Sequence, residues 1–321
     1  MSWGRRYFEL QALGGAVWWI TVATVPAVRT LTLGSLDPVV VAALDVPLFV
    51  VASALAAVSA GAVGRVAATV ATVWTALVLA GLAVWATVTG EAGWGVVVMT
   101  AATVGSVLAL ALVLLGRVPT EWLTSGPLRF RTADPGAATA RHVVATTVQI
   151  VVFWGLFLGV FPVAIAVAEH RWRLHPALPG PVVTALLLVG LVVLALASAL
   201  GIASAAAMST KGAGTPLPSA SANRLVVAGP YRSVRNPMAL AGITQGVAVG
   251  LLLGSWMVVV YALAGSIVWN CVVRPLEEAD LEARFGDDFR RYAARVRCWV
   301  PRWPIAASVG GVPIPLSSPR R

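Results

Sequence analysis

The chain alternates long apolar runs with short polar interruptions. Crossing a hydrocarbon core about 30 Å thick takes roughly 20 apolar helical residues. Eight uncharged runs are of that order, near 12–28, 47–63, 66–88, 95–116, 143–168, 181–207, 238–254 and 256–274. The pattern predicts an all-α fold, a polytopic transmembrane bundle of about eight spans. Only Gly254 and Ser255 separate the last two runs, so these form a tight helical hairpin. The second run turns on Asp45. A helix beginning near Val39 would carry this carboxylate into the membrane, which is costly. Pro47 is a natural first-turn residue, and a start there leaves Asp45 at the interface.

Beyond the last run the period changes. Leu276, Leu281, Phe285, Phe289, Tyr292 and Val296 form an amphipathic stripe, with Arg284, Arg290, Arg291 and Arg295 at other positions. Alone, such a helix reads as a basic surface segment lying on anionic headgroups. The order of these patterns divides the chain into four parts. Residues 1–116 form a four-span extension, and 117–142 a proline-broken cytoplasmic linker. Residues 143–303 form a second membrane unit, and 304–321 a Pro-, Ser- and Gly-rich tail expected to be disordered.

Composition narrows the class. Of 321 residues, 59% are hydrophobic and 11% charged, against roughly 25% charged in soluble domains. That excludes a soluble globule and a disordered chain. Two cysteines exclude a disulfide scaffold and read as free thiols. The net charge of +10 is informative through its distribution, because cytoplasmic loops collect Lys and Arg. With eight spans and both termini inside, only Arg29, Arg171 and Arg173 of the 23 basic residues fall outside. The charge therefore reads as topology in a cytoplasmic membrane, with lipids as surroundings. No nucleic-acid module accompanies it. His142, His170 and His175 have no metal-ligand spacing, so no metal is expected.

The chemically informative stretch runs from Arg224 through Gly229, Pro230, Tyr231, Arg235, Asn236, Pro237 and Met238. It resumes after the hairpin with Arg274, Glu277, Glu278, Leu281, Phe285 and Gly286. Gly-Pro and Asn-Pro are turn formers, so they hold Tyr231 and Arg235 near the membrane surface. The hairpin returns the Glu pair to the same side. The expected result is a cytoplasm-facing pocket with a guanidinium, carboxylates and a phenol.

This pattern resembles the isoprenylcysteine carboxyl methyltransferase and phospholipid methyltransferase superfamily. Its members show a Gly-x-Tyr-x-x-x-Arg-His-Pro turn, a hairpin, Glu-Glu-x-x-Leu-x-x-x-Phe-Gly and a closing Val-Pro-x-x-x-Pro. The run 277–286 fits without a gap, and Val296 to Pro301 follows the closing element. Asn236 stands where the family usually has His, Ala239 where an aromatic is common, Phe289 for a Tyr and Arg297 for a Pro. Asn cannot titrate, so a general base at that position is not expected.

The resemblance implies S-adenosylmethionine as cofactor, and methyl transfer to a lipophilic or small acceptor such as a prenylcysteine carboxylate, a phospholipid amine or a thiol. It implies a cofactor pocket lined by Asn223, Arg224, Leu225, Val226, Tyr231, Asn236, Pro237, Met238 and Glu277. Arg235 and Glu278 would be catalytic, and Arg274 would face the substrate. Gln245 is expected in a helix–helix contact. Two other readings compete: an NADPH-dependent membrane reductase of the sterol-reductase type, and a scaffold or transporter without catalysis. An inverted-repeat transporter gains nothing from the sequence, which shows no internal repeat.

Overall fold

In a computed structural model, residues 2–121, 132–134, 136–215 and 220–300 are described. The expected tail, Pro301 and most of the proline-broken linker lie outside them. The described residues form an all-helical chain. Its helices are α1 (Trp3–Thr24), α2 (Pro26–Leu33), α3 (Pro38–Val58), α4 (Gly61–Thr89), α5 (Gly93–Leu115), α6 (Thr139–Arg171), α7 (Gly180–Lys211), α8 (Pro237–Leu252) and α9 (Trp256–Arg295).

Six of these helices are long and apolar enough to cross a membrane, or seven if α1 and α2 count as one bent span. The sequence runs suggested eight. The first run breaks at Val25, which is extended because Pro26 follows it, and α1 and α2 diverge by 114°. The seventh run becomes α8, of 16 residues. At 1.5 Å per residue that is about 24 Å, short of a ~30 Å core.

The expected start of the second span at Pro47 is corrected. The helix begins at Pro38, where the Asp37 carboxylate accepts hydrogen bonds from the N–H groups of Val39 (2.7 Å) and Val40 (3.2 Å). Asp37-Pro38 is an N-cap followed by a first-turn proline, a stronger start than Pro47. Pro47 sits inside the helix, accommodated by a π-helical turn at Val46–Val51 that absorbs the missing N–H. Asp45 therefore lies within the apolar helix, only 6% exposed. Two indoles serve it: Trp74 Nε1 donates to Oδ1 at 2.8 Å and Trp19 Nε1 to Oδ2 at 2.9 Å.

The chain divides into two compact units, each interleaved in sequence. Of the described residues, the first comprises 2–121, 156–190 and 249–261. Its packing is built on small residues. Phe8 is fully buried among Ala52, Ala56, Ala57, Ala67, Ala68, Ala71 and Ala109, the close approach that helices in lipid favour. A polar clamp ties three helices: Gln11 Nε2 donates to Ser53 Oγ at 3.1 Å, and Ser106 Oγ donates to Gln11 Oε1 at 2.7 Å. Gly254 (φ +60°) makes the tight turn between α8 and α9. There Ser255 N–H donates to Gly250 O at 2.9 Å. A Cβ on Gly250 would come within 2.7 Å of Val259 Cγ2, so the glycine permits the hairpin's closest approach. Buried Glu169 accepts from Ser255 Oγ and from Met257 N–H (3.0 Å), capping the start of α9.

Of the described residues, the second unit comprises 132–134, 136–155, 191–215, 220–248 and 262–300. In it, Gln245 is 1% exposed and donates from Nε2 to Ser198 Oγ at 2.9 Å, a contact between α8 and α7. From Trp256 to a break at Gly286, α9 is about 45 Å long, longer than a bilayer core of about 30 Å. Its apolar part is 256–273. A π-helical turn at Trp269–Val273 leads into the charged section Arg274–Arg295, which leaves the membrane-spanning segment.

Candidate active site

The site lies within the second unit, and its walls follow from local chain chemistry. Gly229–Arg232 form one 3₁₀ turn, with Pro230 in its first turn and Gly229 at φ +59°. This turn buries Tyr231 to 7% exposure against Ala207, Ala222 and Val226. Pro237 starts α8, and the Asn236 carbonyl accepts from Leu240 N–H at 3.0 Å. Opposite stands the polar section of α9. At 3.6 residues per turn, Glu277, Asp280, Leu281 and Arg284 share one helix face. All four line a cavity of about 160 Å³, together with Arg224, Leu225, Val226, Tyr231, Arg235, Asn236 and Met238.

Gly286 breaks α9 at φ +50°, ψ −123°. The turn that follows buries Phe289 (5% exposed) and brings Tyr292 to the site. The Tyr292 hydroxyl donates to Tyr231 O at 2.7 Å. Residues 296–300 then run back over the Arg-Asn-Pro turn. Arg235 N–H donates to Arg297 O (3.0 Å) and Asn236 N–H to Cys298 O (3.4 Å). Trp299 Nε1 pins this strap to Asn270 Oδ1 at 2.8 Å.

The charged groups are close but not saturated. Arg235 Nη2 lies 3.4 Å from Glu278 Oε1, an ion pair without hydrogen-bond geometry. Arg235 Nε and Glu277 Oε2 are enclosed and have no hydrogen-bond partner. Buried polar atoms without partners are costly, and both belong to residues that line the cavity. Burial, then the neighbouring Glu278 and Asp280 carboxylates, push Glu277 up to about 7, while Arg284 opposes the shift. Part of the Glu277 surface stays accessible, but its Oε2 does not. Burial and then the Glu277 charge raise the Tyr231 phenol above its ordinary range. Burial also raises Tyr292, against the pull of Arg235.

Among the residues singled out in the sequence, Arg224, Leu225, Val226, Tyr231, Arg235, Asn236, Met238 and Glu277 line one cavity. The others stand around it. Asn223 turns its amide to the backbone, donating to Ala133 O (3.0 Å) and Ala213 O (2.9 Å). Pro237 is fully buried at the helix start. Glu278 reaches the cavity through Arg235. Arg274 points to Cys298, with Nη1 3.7 Å from Sγ. Asp280, Arg284, Tyr292 and Trp269 also line the site and were not singled out. Asp280 and Arg284 follow Glu277 by three and seven residues, a helical spacing that would have found them. Arg284 is fixed by Asp280 at 2.9 Å and by the Ala222 carbonyl at 2.8 Å.

Residues 185–288 match the family model of phospholipid methyltransferase. This segment is a domain of that family, within the isoprenylcysteine carboxyl methyltransferase superfamily. The methyltransferase domain includes both walls of the cavity, the Arg-Asn-Pro turn and the Glu pair, and ends before Tyr292. The chain has no significant match among curated proteins. Among the described residues, no group of three or more His, Cys, Asp and Glu side chains is arranged to hold a metal ion.

The cavity suits a ligand carrying both charges. A guanidinium fits a carboxylate, and a carboxylate fits an ammonium or hydroxyls. S-adenosylmethionine offers all of these. The volume is smaller than the roughly 300–1,000 Å³ of sites that engulf a drug-sized ligand. A cofactor of that size would seat its polar end here and extend beyond the cavity.

Proposed function

We propose that this membrane methyltransferase uses S-adenosylmethionine to methylate a lipophilic acceptor at the cytoplasmic face of the membrane. The observation that carries this reading is one cavity lined by the Arg235 guanidinium and the Glu277 and Asp280 carboxylates, inside a domain of methyltransferase type. The charge distribution supports the orientation: arginines and one lysine flank the site at Lys211, Arg224, Arg232, Arg235 and Arg274, as cytoplasmic segments require.

When bound, the cofactor supplies an electrophilic methyl group on a sulfonium. The chain's part is to bind, orient and exclude water, which suffices for much of the rate in an in-line transfer. Arg235 holds a carboxylate, and Glu278 holds Arg235. Glu277, ionised, receives an ammonium or ribose hydroxyls. Tyr231, Val226 and Met208, which also lines the cavity, supply the apolar wall. Asn236 donates from Nδ2 to Cys298 Sγ at 3.1 Å and so ties the strap to the turn; it moves no proton. A phospholipid amine, a prenylcysteine carboxylate and a small thiol are the acceptor classes to compare.

Calorimetric titration of the purified protein with S-adenosylmethionine and with NADPH tests the cofactor. We expect saturable binding of the first, lost in Glu277→Ala. Binding of NADPH without S-adenosylmethionine would overturn the reading in favour of a reductase.

A further inference from the structure

The first unit contains an apolar cavity of about 390 Å³ that the methyltransferase reading does not use. Its size lies within the range of small-molecule sites. Leu10, Leu33, Phe49, Val78, Leu82 and Met99 supply much of its wall. The polar residues among its lining are few, and most are already spent. The Tyr7 hydroxyl donates to Ala102 O at 2.9 Å, and Thr32 Oγ1 to Val28 O at 2.7 Å. Gln11 is held between Ser53 and Ser106.

Asp45 is different. Each of its oxygens accepts one indole N–H, and a carboxylate has about four acceptor sites. Neutral donors supply hydrogen bonds but no counter-charge. Among the described residues no Lys, Arg or His nitrogen comes within 4.0 Å of it, and none lines the cavity. An acid inside an apolar membrane helix is expensive, and such groups mark ligand or ion sites. The cavity thus has an apolar body, one acidic group with spare acceptor capacity, and no base.

We propose that this cavity binds a long-chain amine, its ammonium on Asp45 and its hydrocarbon body along the Leu10–Phe49–Met99 wall. Charge complementarity selects the class. A fatty carboxylate or a lipid phosphate would meet an acid and find no cation. The site stands independently of the methyl-transfer reading, since no residue of the methyltransferase cavity takes part.

Native mass spectrometry of the full-length protein released from detergent micelles tests this with tetradecylamine, tetradecanol and tetradecanoate. The expected result is one bound amine per chain, with the carboxylate weaker by about tenfold or more. Asp45→Asn should lower amine occupancy by about tenfold and leave the alcohol unchanged. Gly14 also lines the cavity, and a Cβ there meets no atom within 4 Å. Gly14→Phe, which projects a ring from that open position, should therefore reduce amine and alcohol together. Equal binding of amine and carboxylate by the unmodified protein would overturn the proposal. So would amine binding that neither variant changes. If Asp45→Asn fails to fold, the ligand series and Gly14→Phe still decide.

Discussion

Arg235 Nη2 and Glu278 Oε1 stand 3.4 Å apart at the mouth of the Arg-Asn-Pro turn, an ion pair that fixes the guanidinium without consuming it. Both side chains keep some exposure, 17% and 28%, so the pair is neither a surface ornament nor a sealed bridge. Its partner atom Arg235 Nε remains free of hydrogen bonds. Removing one member should therefore affect ligand binding more than folding. We predict that Arg235→Ala weakens S-adenosylmethionine binding roughly 10- to 100-fold, the value of a hydrogen bond to a charged group. Glu278→Gln should cost less, because it acts through Arg235. Calorimetric titration of both variants checks the order. Equal losses would place Glu278 in direct contact with the ligand.

Glu277 predicts a pH dependence. Its carboxyl is pushed up to about 7 by burial and by Glu278 and Asp280, so in the free protein it is largely protonated below that pH. A cationic ligand group requires the ionised form. Affinity for S-adenosylmethionine should thus rise between pH 5.5 and 7.5, and Glu277→Gln should flatten the profile. The stability sign is opposite. A carboxyl raised above its unfolded value stabilises the fold fully at low pH, and that contribution fades as pH rises through about 7. Without ligand, Glu277→Gln should melt higher than the unmodified protein at pH 8, and the gap should close towards pH 5.

Gly286 is the hinge that turns α9 back on the site. Its φ of +50° with ψ of −123° is a region that only glycine enters cheaply. A Cβ there would meet no atom within 4 Å, so a substitution acts through the backbone alone. Gly286→Ala should cost about 1–3 kcal/mol in thermal unfolding. It should also loosen the Tyr292–Tyr231 contact, read as a red shift of Trp299 fluorescence. A neutral change in both would mean that the kink is not needed.

Tyr292→Phe tests the same junction with a smaller perturbation. It removes the hydroxyl that donates to Tyr231 O and leaves that carbonyl without this partner. A loss of about 1 kcal/mol is expected, with weaker S-adenosylmethionine binding if the Tyr231 turn must stay in place.

Much of this was legible in the sequence, for definable reasons. Apolar runs became helices because a hydrophobic stretch without charges has few other outcomes in lipid. The Glu-Glu run and the Arg-Asn-Pro turn met because a two-residue hairpin left them nowhere else to go. What was hidden depended on distant partners. The N-cap at Asp37 outcompeted Pro47, and two tryptophans from other helices made Asp45 tolerable inside the span. The π-helical turns at Val46–Val51, Gly155–Val160 and Trp269–Val273 have no simple sequence signal. Asn223 pins the Ala133 and Ala213 carbonyls, contacts with no signal in local spacing. Arg284 resembled a surface charge, yet reaches the Ala222 carbonyl 62 residues away.

Methyl transfer from S-adenosylmethionine to a lipophilic acceptor is tested by following the methyl group itself. Purified protein in nanodiscs of total lipid extract is incubated with methyl-labelled S-adenosylmethionine, and the lipid and thiol fractions are separated. We expect label in an extractable lipid product, abolished by Glu277→Ala and strongly reduced by Arg235→Ala at equal protein levels. Label that stays on the cofactor in every fraction, with both variants behaving as the unmodified protein does, would contradict it.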